Sequence, residues 1–168
     1  MTPSTPYRIG IDIGGTKTEV VLLDPEGRPR LRERVPTPRR HTREYEAILE
    51  NTVRMAEHAL RQTPRHEGTI GICIPGIIDA GTGCVINANI TSLIDKSFQQ
   101  DIARQLGRPV AMENDADCFT LAESLQGAGQ GFAMVFGIIL GTGVGGGLCF
   151  NGRLYRGRHG IAGEWGHM

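Results

Sequence analysis

The chain has 168 residues, of which 39% are hydrophobic, enough for one domain or for one domain and part of another. Its 18 basic and 18 acidic residues give a formal net charge of zero, which argues against nucleic acid and anionic membranes as partners and favours a small molecule. No apolar run reaches the roughly 20 residues that span a bilayer, and the four cysteines form no C-x-x-C pair. We therefore expect a cytoplasmic protein without a membrane segment.

The first predicted element is a strand over residues 8–13, in which isoleucines occupy alternate positions. It runs into Gly14 and Gly15, which we predict to form a tight turn, because adjacent glycines in the path of a strand cost backbone entropy unless another group must come close. Residues 17–24 are predicted to form a second strand. The glycines would then lie at the tip of a hairpin.

This hairpin tip carries groups that suit a phosphate. Backbone N–H groups of the turn and the ammonium of Lys17 can meet phosphate oxygens, and Asp12, one step before the glycines, can hold a hydrated Mg²⁺. An ordinary hairpin tip without a ligand is the alternative that this stretch alone leaves open.

The chain up to about residue 128 has the order of strands and helices that is typical of a complete α/β layer domain. Three strands are followed by a helix, a strand, a helix, a strand and a helix, at residues 8–13, 17–24, 31–35, 45–60, 69–74, 98–106, 110–113 and 114–125, with a short strand at 84–86. Ser97 and Gln100 are spaced as a capping box for the second helix. We therefore predict a first domain over residues 1–128.

Residues 129–168 repeat the layout of the opening hairpin. A strand is predicted over residues 133–140, a glycine loop over 141–147 and a further strand over 148–150, and Asn151-Gly152 is a strong signal for a type I′ turn. We predict that this stretch begins a second domain built like the first, with too few residues to complete it.

The second glycine stretch formally fits the G-x-G-x-x-G pattern from Gly141 to Gly146, with Glu164 about twenty residues further on. A dinucleotide-binding fingerprint requires a helix directly after its glycines. Residues 148–150 are predicted to form a strand instead, which favours a second loop for phosphate or sugar hydroxyls over a dinucleotide site.

Asp115 is the carboxylate that the sequence favours as a general base. It follows a buried strand and lies at a predicted helix N-terminus, where the helix dipole stabilises its ionised form. Helix capping by Asn114 or Asp115 is an equally valid reading, and Asp117 is expected to be a solvated residue of the first turn.

Other polar side chains leave alternatives open. Asn87 and Asn89 suit either polyol hydroxyls or Asx turns. Glu164 and His167 place an acceptor and a donor beside glycines, but a single histidine is weak evidence for a metal, because a structural zinc needs about four ligands.

Five motifs occur in the order in which one family carries them. They are Asp12-Ile13-Gly14-Gly15-Thr16-Lys17, the stretch from Gly71 to Gly76, Glu113-Asn114-Asp115-Ala116-Asp117-Cys118, the stretch from Leu140 to Gly147, and Gly163-Glu164-Trp165-Gly166-His167. Together they closely resemble the ROK family (repressors, open reading frames and kinases) of the actin-like, ribonuclease H-like sugar kinase superfamily, and the resemblance covers residues 8–168.

The resemblance implies an α/β, actin-like ATPase (ribonuclease H-like) domain with a mixed sheet, plus the beginning of a second similar domain. It also implies ATP- and Mg²⁺-dependent phosphorylation of a hexose, usually at its 6-hydroxyl, in a cleft between the two domains. The implied phosphate-binding residues are Asp12, Gly14, Gly15, Thr16, Lys17, Gly141, Thr142 and Gly143. Asp115 would be the general base, and the implied sugar contacts are Gly76, Asn89, Asn114, Asp115, Glu164 and His167.

The chain departs from the family pattern at its end. In family members, the histidine matching His167 also binds a structural Zn²⁺ with three cysteines of a later C-x-C-G-x-x-G-C segment, and this sequence ends one residue after it. We therefore expect that the zinc site cannot close here, that the rest of the second domain is absent, and that the isolated chain has little or no kinase activity.

The rival functions are a ROK transcriptional regulator and a sugar-binding protein without catalysis. Family repressors carry a helix-turn-helix before the first strand, and only seven residues precede Arg8, so we expect no DNA binding. Residues 35–38 and 86–93 resemble both the fructokinases and the N-acetylglucosamine kinases of the family. We expect N-acetylglucosamine or fructose as the hexose. The sequence does not determine the oligomeric state, and a homodimer is one possible assembly, since family members are often dimers or tetramers.

Overall fold

The computed structural model describes residues 6–39, 42–141, 143–158 and 160–165. Its strands are β1 (Arg8–Ile13), β2 (Lys17–Leu23), β3 (Pro29–Pro36), β4 (Thr69–Ile74), β5 (Ile77–Ile78), β6 (Val85–Ile86), β7 (Ala111–Asn114), β8 (Met134–Leu140), β9 (Val144–Phe150) and β10 (Arg153–Leu154). Its helices are α1 (Glu44–Arg61), α2 (Phe98–Leu106) and α3 (Asp115–Gln126), with 3₁₀ turns at Pro64–His66 and Thr91–Leu93.

The larger sheet is mixed, with the strand order β3-β2-β1-β4-β7. The first three strands pair antiparallel as a meander, whereas β4 and β7 run parallel to β1. Each parallel step is reached through a helix, which is the crossover that the predicted order of elements requires. The predicted α/β layer with a mixed sheet is therefore confirmed.

The core lies between this sheet and the helices α1 and α2. Alternate isoleucines of β1 and β4 point to this side, and the side chains of Ile13 and Ile74 are fully buried there. Helix α1 presents the apolar stripe predicted from its spacing, including Ile48 and Ala56, and α2 adds Phe98. Asp12 lies on the other side of the sheet, where its side chain is exposed.

Two local predictions about helix ends had different outcomes. Gly107 has a φ of +63° after the last turn of α2, as expected for a glycine that ends a helix. The capping box at Ser97 is wrong, because the Ser97 side chain makes no capping hydrogen bond and its hydroxyl lies 3.6 Å from Sγ of Cys84. The Ser97 hydroxyl is turned towards the loop before β6, not towards the helix.

The smaller sheet has the order β10-β9-β8 and is antiparallel throughout. Its last hairpin turns at Asn151 and Gly152, whose φ values of +49° and +72° fit the predicted type I′ turn. Helix α3 packs against β8 and β9, so it connects the two sheets. Among the residues described, no helix combines the length and the apolar character needed to cross a membrane.

Candidate active site at the end of the first hairpin

The turn between β1 and β2 is open to solvent at its tip. The N–H of Gly14 donates to the carbonyl of Lys17 across 2.9 Å, which closes the hairpin, while Gly15, Thr16 and Lys17 are exposed. A Cβ at Gly14 would stand 3.1 Å from that carbonyl oxygen, which explains why a glycine occupies this position. The predicted hairpin tip is confirmed, and its backbone and the Lys17 ammonium face outwards.

Thr37, directly after β3, braces this turn. Its hydroxyl donates to the carbonyl of Gly14 at 2.7 Å, and its N–H donates to the carbonyl of Thr16 at 3.0 Å. Because the Thr37 proton goes to Gly14, the Thr18 hydroxyl is the donor in the 2.9 Å contact between the two threonines. The sequence analysis did not predict these hydrogen bonds of Thr37. The Thr37-Pro38 pair at the end of the third predicted strand could have indicated them.

Asp12 lies on the open side of the sheet, level with polar side chains on both neighbouring strands. It pairs in register with Glu19 on β2 and with Cys73 on β4, and Cys73 pairs in turn with Glu113 on β7. The thiol of Cys73 donates to Oδ1 of Asp12 at 3.4 Å. A hydrogen bond with Cys118, burial and the charge of Asp12 raise the pKa of Cys73, so this thiol remains a neutral donor.

Asp115 begins α3 at the carboxyl end of β7. Asn114 is the cap: its Oδ1 accepts from the N–H of Ala116 at 2.8 Å and of Asp117 at 3.1 Å. The Asp115 side chain itself accepts from the Ala116 N–H at 2.9 Å. Asn114 is therefore confirmed as the helix cap, whereas the role of Asp115 as a general base stays a prediction.

The electrostatics of Asp115 suit a base. Burial raises its pKa, the charge of Asp12 adds to this, and the hydrogen bond from Ala116 N–H opposes it. Asp12 precedes the turn after β1 and Asp115 follows β7, and these strands end at the same edge of the sheet because both pair parallel with β4. A carboxylate whose pKa is raised accepts a proton more readily near neutral pH, which is what a general base requires.

Among the predicted sugar contacts, Asn114 is hydrogen-bonded to Gly76, and Asn89 is hydrogen-bonded to Pro75, the residue before Gly76. Nδ2 of Asn114 donates to the carbonyl of Gly76 at 3.2 Å, and the N–H of Asn89 donates to the carbonyl of Pro75 at 2.9 Å. The Asn89 side chain is exposed. Gly76 also has a packing reason to be glycine, because a Cβ there would lie 2.7 Å from Cβ of Ala88. The structure thus holds Gly76 against Asn114, the residue that directly precedes Asp115.

The second glycine stretch differs from its prediction. The turn itself is short, with the N–H of Gly141 donating to the carbonyl of Gly143 at 2.9 Å, and β9 already begins at Val144. The loop predicted over residues 141–147 is therefore wrong for residues 144–147. A strand in place of a helix after the glycines also excludes the dinucleotide fingerprint.

The glycines of β9 serve close packing. A Cβ on Gly147 would lie 2.7 Å from Oγ1 of Thr120 and 2.8 Å from Oδ1 of Asp117, so α3 can approach the strand only because no side chain is there. A Cβ on Gly145 would stand 3.3 Å from Cβ of Ala116. The turn at residues 141–143 therefore ends beside the helix N-terminus that carries Asp115, while Thr142 lies outside the described residues.

Asp117 is not the solvated residue that the sequence suggested. Its exposure is 5%, and Oδ1 has no hydrogen-bond partner among the described residues. Burial raises its pKa to about 7; Glu113, Glu164 and Asp115 add to the shift and Arg156 opposes it. It was mispredicted because the helical period turns residue 117 towards β9, a contact that a sequence does not reveal.

Arg156, which follows β10, forms an ion pair with Glu113 on β7 of the larger sheet, and both charges act on Asp117. We call the region around Asp117, Glu113 and Arg156 the Asp117 corner. Nε of Arg156 donates to Oε2 of Glu113 at 2.7 Å, and Nη2 contacts the same oxygen. Glu164 follows Gly163, whose backbone packs against Gly146 and Gly147 of β9, and its charge adds to the raised pKa of Asp117. His167, and with it the expected zinc ligand, lies outside the described residues. Over the described ranges, no three His, Cys, Asp or Glu side chains are grouped to hold a metal ion.

Comparison with known proteins identifies the family of the chain. Residues 8–168 match the ROK family. The chain is 41% identical over 159 residues to an N-acetylgalactosamine kinase of Shewanella sp. (strain ANA-3), and 40% identical over 159 residues to an N-acetyl-D-glucosamine kinase of Histophilus somni (strain 129Pt). These alignments cover 95% of this chain but 50% and 51% of the two relatives, so the chain spans about half of their length.

Solved structures of the ROK family share the fold of this chain. The crystal structure of a ROK family glucokinase from Streptomyces griseus, in complex with glucose and AMPPNP, superposes with a TM-score of 0.83 at 34% identity, over 96% of this chain and 50% of that one. This likeness confirms the predicted actin-like α/β class. Because the family model matches residues 8–168, which is nearly the whole chain, the chain belongs to the ROK family.

Proposed function

We propose that the protein is an ATP-dependent sugar kinase that transfers the terminal phosphate of ATP to a hexose hydroxyl, with Asp115 as the general base. The observation that carries this proposal is that the glycine turn and Asp115 follow the carboxyl ends of β1 and β7, which both pair parallel with β4 and therefore end at the same edge of the sheet. The names of the relatives, which are kinases of amino sugars, support the reaction class.

Phosphoryl transfer asks a protein mainly for positioning and for stabilisation of charge. In the proposed mechanism the N–H groups of the turn and Lys17 hold the phosphate end of the nucleotide, with the second turn at residues 141–143 opposite. Asp115 accepts the proton of the attacking sugar hydroxyl. Its raised pKa favours that step, and hydroxyl activation of this kind contributes typically about 10²- to 10⁴-fold.

The residues present fit Mg²⁺, because this ion is usually bound by one or two carboxylates, water and substrate phosphates. Asp12 would hold it, and the ion supplies neutralisation of the phosphate charge. Gly76, Asn89, Asn114 and Glu164, with His167, are the proposed sugar contacts. We assign residues 1–128 to a first domain with the phosphate turn and the base, and residues 129–168 to the start of a second.

We propose an N-acetylated hexosamine as the sugar, because both relatives described above carry such names. The 6-hydroxyl as the acceptor is what the family resemblance implies. Fructose remains the second candidate. Discrimination between them depends on hydrogen bonds in the pocket, since a buried polar group that loses its partner costs affinity.

The test is ADP release with Mg-ATP across N-acetylglucosamine, N-acetylgalactosamine, fructose and glucose, combined with calorimetric sugar binding, for the chain and for Asp115→Asn. We expect one sugar to bind, and any turnover to fall by about 10²- to 10⁴-fold in Asp115→Asn with sugar binding retained. Glu57→Gln on the exposed side of α1 is the control with the same charge change.

The result separates the rival functions. Sugar-dependent ADP release would favour the kinase. Sugar binding without ADP release would show sugar binding by this chain alone and would not decide against a kinase, since the chain spans about half the length of its relatives. Equal turnover by the wild type and Asp115→Asn would remove Asp115 from the role of base.

A further inference from the structure

Arg39 is brought to the first glycine turn by the strand before it. The last residue of β3, Pro36, pairs in register with Lys17, the first residue of β2. The next residue, Thr37, is fixed to the turn by its hydrogen bonds to Gly14 and Thr16. Arg39 follows two residues later, so its backbone starts from a position already anchored to the phosphate turn.

The Arg39 side chain lies over the exposed tip. A Cβ on Gly15 would stand 3.8 Å from Nη1 of Arg39. At its other edge, Nε of the guanidinium lies 3.4 Å from Oε1 of Glu44 at the start of α1, and this oxygen also accepts from the hydroxyl of Ser92 at 2.9 Å. Glu44 thus contacts the Nε edge of the guanidinium, while Nη1 lies next to Gly15.

We propose that Arg39 is a second phosphate-binding cation of the first glycine turn, acting beside Lys17 on the terminal phosphate of the nucleotide. This inference rests on the proposed kinase function and deepens it. A terminal phosphate carries more charge than one ammonium balances, and a guanidinium offers two parallel donors to phosphate oxygens. Because Glu44 already orients the group, little reorganisation is needed when the phosphate binds.

The alternative role for Arg39 is structural: its ion pair with Glu44 would connect the turn to α1 and stabilise the fold, and we call this role a strut. The two roles differ in what a substitution changes. A strut alters the stability of the chain, whereas a phosphate ligand alters the affinity for a polyanion at unchanged stability.

The experiment is calorimetric titration of the 168-residue chain with sodium tripolyphosphate, which presents phosphates without adenosine or sugar. We expect Arg39→Gln to weaken binding by about tenfold or more, as for the loss of a charge-assisted hydrogen bond. Arg39→Lys keeps the charge but lacks the fork, so we expect a smaller loss. Arg54→Gln, at an exposed arginine of α1, removes the same charge and should bind like the wild type.

Urea unfolding of each variant accompanies the titration, and the folded Arg39→Lys chain keeps the test valid if Arg39→Gln is unstable. Equal affinities for Arg39→Gln, Arg39→Lys and Arg54→Gln would overturn the assignment of Arg39 and leave the proposed function intact. If neither the wild type nor Lys17→Gln binds tripolyphosphate, the glycine turn is not a phosphate site. The assignment of Arg39 is then refuted as well.

Discussion

Among single residues, Asp117 departs furthest from an ordinary helix aspartate, and its burial makes stability depend on pH. Its pKa is about 7 in the fold, against about 3.9 in an unfolded chain. Between these values the folded state binds the extra proton, so stability is highest at the acid end and falls as pH rises towards 7. The reason is that deprotonation places a charge in the buried Asp117 corner, where the charges of Glu113 and Glu164 oppose it.

The corresponding prediction concerns Asp117→Asn, which cannot ionise. We expect the free energy of unfolding of this variant, relative to the wild type, to rise from about pH 4 to about pH 7 and to level off above that. Urea unfolding at each pH measures this. Asp95→Asn, at an exposed position, is the control, and parallel curves for wild type and Asp117→Asn would contradict the assignment.

At the scale of elements, the contact between α3 and the smaller sheet depends on small groups. The helix presents Ala116, Asp117 and Thr120 to the sheet, and Gly137 and Gly147 lie opposite. A Cβ on Gly147 would also stand 2.9 Å from the carbonyl oxygen of Ala116, which is helix backbone and cannot turn aside. The helix that carries Asp115 is therefore positioned by the absence of side chains on β9.

We predict that Gly147→Ala destabilises the chain by about 1–3 kcal/mol or more, because the added methyl group overpacks this contact. Gly71→Ala on β4 is the matched control, since nothing lies within 4 Å of a Cβ there, and it should be neutral or stabilising by about 0.5–1 kcal/mol. Urea unfolding at one pH compares the two. Similar values for both variants would show that α3 can shift without cost.

At the scale of the whole molecule, the smaller sheet has one packed side and one apolar, exposed side. Side chains of β8 alternate, and those turned away from α3 remain open, with Leu140 76% and Met134 61% exposed. Neighbouring Phe132 is 67% exposed. An antiparallel sheet that faces water normally carries polar residues on that side, so this surface is unusual for a protein face in water.

We therefore expect the folded 168-residue chain to bind the dye ANS, which reports exposed apolar surface. Ile138→Lys together with Leu140→Lys should lower the fluorescence without lowering the urea midpoint, because both side chains lie in solvent. Gln126→Lys, at an exposed position at the end of α3, adds one positive charge elsewhere and serves as the control. Undiminished dye binding in the double variant would locate the apolar surface elsewhere.

The sequence by itself determined the order of strands and helices, the turn at Gly14 and Gly15, and the resemblance to the ROK family. These are local properties: alternation and helical period act over a few residues, and a glycine turn depends on its own backbone. Asp115 could be singled out for the same reason, because it follows a strand and starts a helix.

Only the tertiary structure decided which residues surround these elements. Thr37 and Arg39 lie more than twenty residues from the turn that they contact, and Asp117 is buried by β9, which lies further along the chain. Gly145, Gly146 and Gly147 look like a loop in the sequence, yet they lie in β9, which pairs with β8, and α3 and Gly163 pack closely against them. Contacts between distant segments create these environments, so no local pattern could have predicted them.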